Sequence, residues 1–351
     1  MQQWMIYGAN GYTGELVARE AARQRLRPVL AGRRRSAIEA LARELKLDHR
    51  IFDLHDAEAA RKGVQGMGVV ANCAGPFSAT SRPMLDACMA EHVHYLDITG
   101  EIDVFVDAHA RHGQAVEAGI VVCPGVGFDV IPTDCVAATL KAELPDADRL
   151  ALGFDSKSGL SPGTAKTSVE GLREGGKVRI DGKIRKVPLA YQSRQIDFGN
   201  GTKSAATIPW GDIATAWFST GIENIEVFVP MAPSAAVRLR RLDWVQPLLA
   251  LGPVQSLLKR YVGKRIVGPN AAQRESACTY VWGEACNPAG TKVIARVKTA
   301  NGYDVTVHGV LMAARHLLET PKPRPGYFTP SRLLGNRCVE DLPGSGRIEI
   351  S

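Results

Sequence analysis

Three glycines, spaced three residues apart, constrain the fold of this chain more than any other feature of its sequence. They lie between an apolar, strand-like run at residues 4–8 and a helical pattern at residues 14–25. Gly8 permits a tight turn, Gly11 lets a ligand approach the backbone, and Gly14 allows the helix to pack closely on the strand. The N–H groups at the start of such a helix bind phosphate. The sequence therefore predicts a dinucleotide site formed by Gly8, Asn10, Gly11, Tyr12, Thr13 and Gly14.

Strands and helices alternate through the first part of the chain. Strand-like runs occur at residues 4–8, 28–31, 49–53, 68–73, 94–97 and 120–123. Helical patterns lie between them at residues 14–25, 36–45, 57–64, 82–92 and 101–118. Because each strand is followed by a helix, consecutive strands run parallel and form one doubly wound sheet of the Rossmann type. We expect this α/β domain to span residues 1–130.

The pattern changes after residue 130. The pairs at residues 181–182, 200–201 and 301–302 are Asp-Gly or Asn-Gly and predict β-hairpins, because both positions of such a turn accept a positive φ. Helices are expected at residues 131–144, 163–174, 212–219 and 233–261. These signals predict a second α+β domain with a largely antiparallel sheet at residues 131–325. A proline-rich linker at residues 320–330 leads into a C-terminal segment at residues 326–351, with a short helix at 331–334 and a strand at 347–350.

The end of the second strand favours one form of the dinucleotide. An NAD site places Asp or Glu there to bind the ribose hydroxyls, but this strand runs into Arg33, Arg34 and Arg35. Guanidinium groups bind a phosphate dianion through paired, charge-assisted hydrogen bonds. The sequence therefore predicts NADP(H), with Arg33 and Arg34 at its 2′-phosphate. The alternative is a solvated basic turn, which explains one arginine better than three in succession.

Further cofactor contacts are expected beyond the carboxyl ends of the next strands, where ligands of open α/β sheets bind. The adenine should lie after the third strand and the nicotinamide ribose after the fourth. The corresponding residues are Asp53 and Leu54 after the third strand, and Ala74, Gly75 and Pro76 after the fourth. Polar segments at residues 97–101 and 124–129 end the fifth and sixth strands, so both should face the same crevice.

Composition and charge limit the remaining classes of function. Hydrophobic side chains make up 45% and charged ones 23% of the 351 residues, which is typical of an ordered globular protein of about two domains. Lys and Arg exceed Asp and Glu by 43 to 36, and the excess is concentrated at residues 19–50 and 238–265. The first cluster contains the predicted phosphate site, and neither resembles a nucleic-acid-binding module. No nucleic-acid partner is expected.

The second basic cluster belongs to a broken amphipathic pattern at residues 235–265 and leaves three interpretations open. The segment can contact a lipid or membrane surface from one side, because basic side chains bind anionic head groups. It can line the entrance of a site for acyl-chain substrates. It can also be a helix pair that covers the second domain and keeps its charges in solvent, since amphipathic helices normally face a core.

Cysteines and the N-terminus give expectations about the compartment. Seven cysteines without a Cys-x-x-Cys pair favour free thiols in a reducing environment. The sequence contains neither a recognisable signal peptide nor a run of about 20 apolar residues that would span a membrane. We therefore expect a cytoplasmic protein. Histidine pairs at residues 92/94 and 109/112 have metal-ligand spacing but lack a third ligand, so no metal site is predicted.

Several segments together resemble the saccharopine dehydrogenase-like oxidoreductases. Those of the first domain are residues 8–14, 31–33, 75–77, 94–101 (HYLDITGE) and 127–134 (GFDVIPTD), and weaker matches follow at residues 161–164, 268–274, 282–285 and 326–330. The chain is most similar to the subgroup that includes the mycobacterial trans-acting enoyl reductases, and less to the true lysine-pathway enzymes.

The resemblance carries implications beyond the residue patterns. It implies an NADP-binding role for Gly8, Gly11, Gly14 and Arg33, and a second domain whose sheet mediates homodimerisation. It also implies that the C-terminal segment packs back on the first domain. It supplies no agreed catalytic residue for this subgroup.

Three side chains are candidates for catalysis, because hydride transfer belongs to the nicotinamide and the protein orients the substrate and supplies a proton. Asp129 can donate or orient, or instead cap the following helix. Tyr95 alternates with Asp97 on one strand face, so that one can face the crevice while the other packs. Lys166 can hold an anionic group or act as an acid, or be a solvated lysine.

The sequence thus predicts an NADP(H)-dependent oxidoreductase that transfers hydride to or from a C=C, C=O or C=N bond of a small or acyl-chain substrate, such as an enoyl compound. The alternative is an NADP-binding protein at a lipid surface, without catalytic turnover.

Overall fold

The structure, a computed structural model, describes residues 3–156, 175–241, 251–252, 254 and 270–351. The chain folds into two compact units, each assembled from two separate stretches of sequence. Unit 1 consists of Met1–Asp129 and Tyr303–Leu334, and unit 2 of Val130–Gly302 and Gly335–Ser351. The chain therefore passes between the units three times.

Unit 1 is built on a parallel sheet of seven strands. These strands are β1 (Gln3–Tyr7), β2 (Val29–Gly32), β3 (His49–Ile51), β4 (Met67–Asn72), β5 (His94–Asp97), β6 (Val121–Cys123) and β15 (Gly326–Tyr327). They lie in the order β15-β6-β5-β4-β1-β2-β3. The helices of this unit are α1 (Tyr12–Arg23), α2 (Arg35–Leu45), α3 (Ala57–Val64), α4 (Phe77–Ala90), α5 (Ile102–Ala110), α6 (His112–Glu117), α11 (Gly302–Glu319) and α12 (Pro330–Leu334). The predicted Rossmann-type sheet is confirmed.

The core of unit 1 follows from the apolar character of its central strands. All six residues of β4 are buried, as expected for a parallel strand with helices on both faces of its sheet. Val17, Ala18 and Ala21 give α1 a buried face at helical spacing. A fully buried valine such as Val17 contributes roughly 1.5–3 kcal/mol, and each alanine contributes less. The packed core holds the carboxyl ends of β1, β2 and β4 side by side.

Two helices of unit 1 differ from their predicted bounds by more than two residues. α4 begins at Phe77 rather than at residue 82, because the Glu101 carboxylate accepts hydrogen bonds from the N–H groups of Phe77 (2.9 Å) and Ser78 (2.8 Å). The helix expected at residues 101–118 ends at Ala110 and restarts at His112, so it forms α5 and α6.

The prediction of a hairpin at residues 301–302 is wrong. Asn301 ends the preceding strand region and Gly302 opens α11, an 18-residue helix. α11 packs in the core of unit 1, where Val310, Leu311 and Leu317 are at most 3% exposed. The Asn-Gly pair favours a hairpin turn. The apolar residues that follow it recur at helical spacing, however, and the chain forms a helix there. Residues 303–325, assigned from sequence to the second domain, therefore lie in unit 1.

A short strand inside the predicted proline-rich linker extends the sheet of unit 1. β15 pairs in parallel with β6, and the Tyr327 N–H donates to Nδ1 of His112 (3.1 Å). At Gly326, where φ is +124°, an added Cβ would lie 2.6 Å from Cε1 of His112. The glycine thus lets the strand pass directly over the imidazole ring.

Unit 2 is built on a nine-stranded mixed sheet. Its strands are β7 (Arg149–Ser156), β8 (Gly176–Ile180), β9 (Lys183–Val187), β10 (Ser193–Asp197), β11 (Thr202–Thr207), β12 (Asn224–Pro230), β13 (Cys278–Cys286), β14 (Lys292–Ala300) and β16 (Glu349–Ile350). The main path runs β10-β11-β12-β7-β13-β14-β16, with β8 between β12 and β9. Only the pair β12–β7 is parallel among the strands described, so the predicted, largely antiparallel second sheet is confirmed.

Short helices complete the described part of unit 2. They are α7 (Ile131–Glu143), α8 (Asp212–Thr220), α9 (Pro233–Arg241), α10 (Ala271–Glu275) and a 3-10 helix at Cys338–Asp341. The predicted helix at residues 163–174 and most of the one at residues 233–261 lie outside the described residues. No helix in the described ranges is long and apolar enough to cross a bilayer.

The sheet of unit 2 curls on itself. Nε of Arg296 on β14 donates to the backbone oxygen of Asp197 at the end of β10 (2.9 Å), although four strands separate β10 from β14 in the sheet order. Arg194 of β10 likewise binds both carboxylate oxygens of Glu284 on β13 (2.9 and 3.0 Å). The concave face encloses a buried apolar cluster of Ala151, Ile196, Phe198, Ala205, Phe228 and Trp282.

The end of the chain lies along the edge of this sheet. The backbone of Ser351 exchanges two hydrogen bonds with Ile294 (2.9 Å each), and the Gly346 N–H donates to Lys298 O (2.8 Å). The prediction from sequence was that residues 326–351 form one segment, which returns to the first domain. The structure divides that segment, because residues up to Leu334 belong to unit 1 and Gly335–Ser351 belongs to unit 2.

Candidate cofactor site

The glycine turn is held by backbone hydrogen bonds at the carboxyl end of β1. The Gly8 N–H donates to Ala31 O on β2 (2.8 Å), and the Gly11 N–H donates to Gly8 O (2.9 Å). Gly8 has a φ of +76°, in the left-handed region that favours glycine. At Gly14, an added Cβ would lie 2.3 Å from Gly8 O, so only glycine lets α1 start this close to the turn.

The same turn touches the segment after β4. A Cβ on Gly8 would lie 2.8 Å from both the Cβ and the N atom of Ala74. The Cys73 N–H donates to Tyr7 O (2.8 Å), and the buried Asn72 side chain accepts from the Ala74 N–H (3.1 Å). A cis peptide bond joins Gly75 to Pro76. The predicted contacts after β1 and β4 are therefore neighbours in the structure.

The N-terminus of α1 is available to an anion. Its N-cap residue is Gly11, and no side chain caps it. The first N–H groups of a helix lack partners within the helix and carry its positive end, so they favour negative charge. Tyr12 and Thr13 form the first turn, and the Tyr12 ring meets the Tyr303 ring of α11 edge-on, with centroids 5.1 Å apart.

The arginines after β2 have different surroundings. When the Asn10 amide is oriented with its oxygen toward Arg34, it accepts from Nη2 (2.7 Å) and Nε (2.9 Å) of that residue. Arg35 forms an exposed ion pair with Glu39 (3.1 Å). The exposed side chain of Arg33 makes no hydrogen bond or ion pair with any residue that the structure describes. Arg34 is thus oriented by the glycine turn, and the Arg33 guanidinium is open to an external anion.

A tyrosine that sequence reasoning missed connects the ends of β1 and β3. The Tyr7 hydroxyl donates to Phe52 O (3.2 Å), and their rings lie 4.9 Å apart. Burial raises the pKa of Tyr7 to about 12, and the Asp53 carboxylate adds to this shift while Arg33 opposes it. The half-buried Asp53 and the buried Leu54 therefore lie in the same neighbourhood as Arg33. The sequence shows the strand-like run that contains Tyr7, but it does not show which group accepts the hydrogen bond of the Tyr7 hydroxyl.

Tyr95 and Asp97 form a buried structural pair. The Tyr95 hydroxyl donates to Oδ2 of Asp97 (2.7 Å), while Oδ1 accepts from the N–H groups of Thr99 and Gly125 (2.9 Å each). Both side chains are at most 1% exposed. Burial raises the pKa of Asp97 to about 6 and that of Tyr95 well above its usual value. The pair thus joins the loops after β5 and β6, and the Tyr95 hydroxyl does not reach the surface.

Asp129 lies at the carboxyl end of the sheet of unit 1 and is half-buried. Its carboxylate rests on the backbone of Gly100, where an added Cβ would lie 2.7 Å from Oδ2. Burial raises the pKa of Asp129 to about 7, and the nearby Glu101 carboxylate raises it further. The N-cap residue of the next helix, α7, is Val130. Asp129 can therefore hold a proton at neutral pH.

Glu101 is a second residue whose role the sequence did not reveal. Its carboxylate is fixed at the start of α4, as described above, and its N–H donates to Thr99 Oγ1 (3.0 Å). Acidic side chains that precede a helix are common, so only the three-dimensional contact with α4 identifies this one. Lys166, the third catalytic candidate, lies outside the described residues. The described residues contain no group of three or more His, Cys, Asp or Glu side chains suited to a metal ion.

The side chains and turns of unit 1 fit an NADP molecule. The glycine turn leaves space that a Cβ at Gly8 or Gly14 would fill, and no side chain caps the N-terminus of α1. At the end of β2, the exposed Arg33 has no hydrogen-bond or ion-pair partner within the described ranges. These features define a dinucleotide-binding domain.

Comparison with known proteins identifies this domain more closely. Residues 4–123, all of them in unit 1, match the model of the saccharopine dehydrogenase NADP-binding domain. The cofactor predicted from the arginines after β2 is therefore confirmed, as is the resemblance to saccharopine dehydrogenase-like oxidoreductases.

Individual relatives support the same conclusion. The chain is 25% identical over 214 residues to the human saccharopine dehydrogenase-like oxidoreductase, covering 53% of this chain and 50% of that protein. It is 30% identical over 190 residues to a Mycobacterium tuberculosis protein whose name describes a trans-acting enoyl reductase, covering 48% and 43%. The chain thus spans about half the length of the curated relatives it matches.

A solved structure shares the whole fold. Saccharopine dehydrogenase (L-Glu forming) from Saccharomyces cerevisiae superimposes with a TM-score of 0.64 at 12% identity, over 100% of this chain and 99% of that one. At this identity the match establishes the two-domain fold alone.

Proposed function

We propose that the protein is an NADPH-dependent oxidoreductase that reduces a C=C, C=O or C=N bond of a small or acyl-chain substrate, such as an enoyl compound. The observation that carries the proposal is the end of β2, where Arg33 is open and Arg34 is oriented by Asn10, within a domain of the NADP-binding type. The names of the oxidoreductase and enoyl reductase relatives support the class of reaction.

Different residues of unit 1 would have different roles in such a reaction. Gly8, Gly11 and the first turn of α1 would bind the pyrophosphate, and Arg33 with Arg34 the 2′-phosphate. Asp53 and Leu54 would border the adenine, and Ala74, Gly75 and Pro76 the nicotinamide ribose. When bound, NADPH supplies the hydride. Asp129, whose pKa is raised to about 7, can hold a proton at neutral pH and would transfer it to the substrate as it is reduced.

Binding and turnover test this function separately. Fluorescence titration should show tight NADPH binding and much weaker NADH binding. Incubation with enoyl, carbonyl and imine substrates should then consume NADPH with at least one class. Equal affinity for the two cofactors would contradict the NADP assignment, and tight NADPH binding without turnover across the three classes would contradict the enzymatic one.

Replacing Asp129 by Asn should slow the reduction by about 10²–10⁴-fold, the usual contribution of a general acid. In the wild type the rate should fall as pH rises through about 7, because the carboxyl then loses its proton. Glu101→Gln should move this fall to lower pH, since it removes the neighbouring negative charge. An unchanged pH profile in Asp129→Asn would show that another group donates the proton.

The same Asp129→Asn variant should also differ from the wild type in how its free energy of unfolding depends on pH. The pKa of Asp129 is raised in the folded protein, so between about pH 4 and 7 the folded state keeps a proton that the unfolded state has released. The free energy of unfolding of the wild type should therefore fall as pH rises through this window. The decrease should be smaller in the variant, where Asp97, whose pKa is also raised, still contributes, as measured by urea unfolding at several pH values.

The second candidate function is an NADP-binding role at a lipid surface. α9 favours it, because Val237 is 45% exposed beside Arg238 and Arg241 in a segment without acidic residues. Apolar and basic side chains together suit an anionic bilayer surface. Flotation with vesicles containing phosphatidylserine should recover the protein with the lipid, and Val237→Asp should prevent this. Recovery in the soluble fraction alone would count against it.

We further propose that the protein acts in the cytoplasm, where its cysteines would stay reduced, and that it forms a homodimer, as the family resemblance implies. Its substrate would be a small molecule or an acyl chain, and it would have no nucleic-acid partner. The segment at residues 235–265 would then border the substrate, cover unit 2 or contact lipid. The structure describes this segment continuously only as far as Arg241, the last residue of α9.

A further inference from the structure

Two buried thiols in unit 2 touch each other and play no part in the proposed reaction. The Sγ atoms of Cys135 on α7 and Cys338 on the 3-10 helix lie 3.4 Å apart. Cys135 is 0% and Cys338 is 3% exposed. Because the two residues are 203 positions apart in the chain, local sequence does not account for their contact. Their meeting joins the start of unit 2 to its last segment.

The segment that contains Cys338 is held by polar contacts and by the buried side chains of Val339, Leu342 and Ile348. Glu340 accepts from Arg337 Nε (2.6 Å) and from the Ile348 N–H (2.9 Å), which closes the segment on itself. The strand β16 then pairs with β14 over two residues. These contacts are all non-covalent, so a covalent bond at Cys338 would strengthen the attachment of Gly335–Ser351.

We propose that Cys135 and Cys338 are a thiol–disulfide pair that, when oxidised, fastens the segment Gly335–Ser351 to α7. A disulfide bond is about 2.05 Å long, so the sulfur atoms need to approach by about 1.4 Å. Both side chains already point at each other, since the thiols are within hydrogen-bond distance. The movement required is that of two side chains and a short helical turn.

A low-molecular-weight disulfide such as oxidised glutathione is the oxidant in this step. One cysteine thiolate attacks it, forms a mixed disulfide and releases one glutathione thiolate, which takes up a proton. The second cysteine then displaces the remaining glutathione. The two protein thiols thus lose two protons and two electrons, one protein disulfide forms, and one glutathione disulfide becomes two thiols.

Burial determines when this exchange can occur. The apolar surroundings raise the pKa of Cys135 well above its usual value, with smaller contributions from Cys338 and Asp134. The attacking species is the thiolate, and a closed site also excludes glutathione. The pair is therefore oxidised when the C-terminal segment opens, and the resulting disulfide is shielded from reductants once the segment closes.

The test is a peptide map of the full-length protein. After incubation with oxidised glutathione and alkylation of free thiols, we expect a crosslinked peptide of Cys135 and Cys338, and a melting temperature higher by about 5 °C. Protease cleavage within Gly335–Ser351 should slow severalfold in the crosslinked protein. Cys88→Ser, which removes a buried thiol of unit 1, should crosslink as the wild type does.

Two substitutions at Cys338 test the crosslink directly. Cys338→Ser should abolish it. Cys338→Ala, whose side chain is apolar, should also abolish it and replaces the serine variant if serine disturbs the core. Complete alkylation of Cys135 and Cys338 after oxidation, or a crosslink to another cysteine instead, would overturn the proposal. So would a crosslink between the two that leaves cleavage of the segment unchanged.

Discussion

Replacing Arg33 by alanine is expected to weaken NADPH binding by about 10–100-fold and to leave NADH binding unchanged. A charge-assisted hydrogen bond contributes about 1.5–3 kcal/mol, and only NADPH offers Arg33 a 2′-phosphate. The side chain is exposed and contacts no other described residue through a hydrogen bond or ion pair, so its loss should not disturb the fold. Titration of both cofactors against wild type and variant measures the difference.

The neighbouring arginine supplies a matched control. Arg35 carries the same charge on the same turn, but its guanidinium is paired with Glu39. Arg35→Ala should therefore change NADPH affinity far less than Arg33→Ala. If both variants lose the same affinity, the turn acts through its overall positive charge. If Arg33→Ala weakens NADH as strongly as NADPH, Arg33 does not recognise the 2′-phosphate.

Replacing Gly8 by alanine should weaken NADPH binding by about 100-fold or more. Alanine at a φ of +76° is strained by about 1–2 kcal/mol, and its Cβ would press on the Cβ and backbone of Ala74. Overpacking of this kind costs about 1–3 kcal/mol further or displaces the turn. Because the turn and the segment after β4 are both proposed to border the cofactor, displacement of either one should reduce binding.

Gly66 separates backbone strain from this collision. It has a φ of +78°, nearly that of Gly8, but a Cβ there meets nothing within 4 Å. Gly66→Ala should lower thermal stability through strain alone and retain NADPH binding. Ala74→Gly in the Gly8→Ala background should restore part of the affinity, because the backbone of Ala74 remains close. Equal loss of binding in Gly8→Ala and Gly66→Ala would contradict a specific role of the Gly8 turn.

The parts of the fold predicted correctly depend on short-range patterns. The first six strands and the turn at Gly8 are visible because most of the strands are short apolar runs and the helices between them have a periodic face. The arginines after β2 predicted the cofactor correctly because they directly follow the end of that strand, where the 2′-phosphate of NADP is expected. In the second unit, the turns at residues 181–182 and 200–201 do join antiparallel strands, β8 to β9 and β10 to β11.

The features that escaped prediction depend on contacts between distant residues. α11 was missed because Asn301 and Gly302 have the chemistry of a hairpin turn, while the surface that buries Val310 and Leu311 is made by residues near the start of the chain. Glu101 was overlooked because its partner, the start of α4, lies more than 20 residues earlier. Asp129 was identified as a candidate, but its elevated pKa depends first on burial and then on the nearby carboxylate of Glu101, neither of which local sequence shows.

The three passages of the chain between the units have a consequence for its biosynthesis. A ribosome that has released residues 1–129 has made the cofactor turn and six strands, but neither α11 nor β15. The apolar surface that later packs against Val307, Val310 and Leu317 then remains uncovered until nearly the whole of unit 2 has been synthesised. Such exposed surface promotes aggregation and is what chaperones bind. The nascent chain should therefore depend on chaperones for most of its elongation, and the first 129 residues alone should make a poor expression fragment.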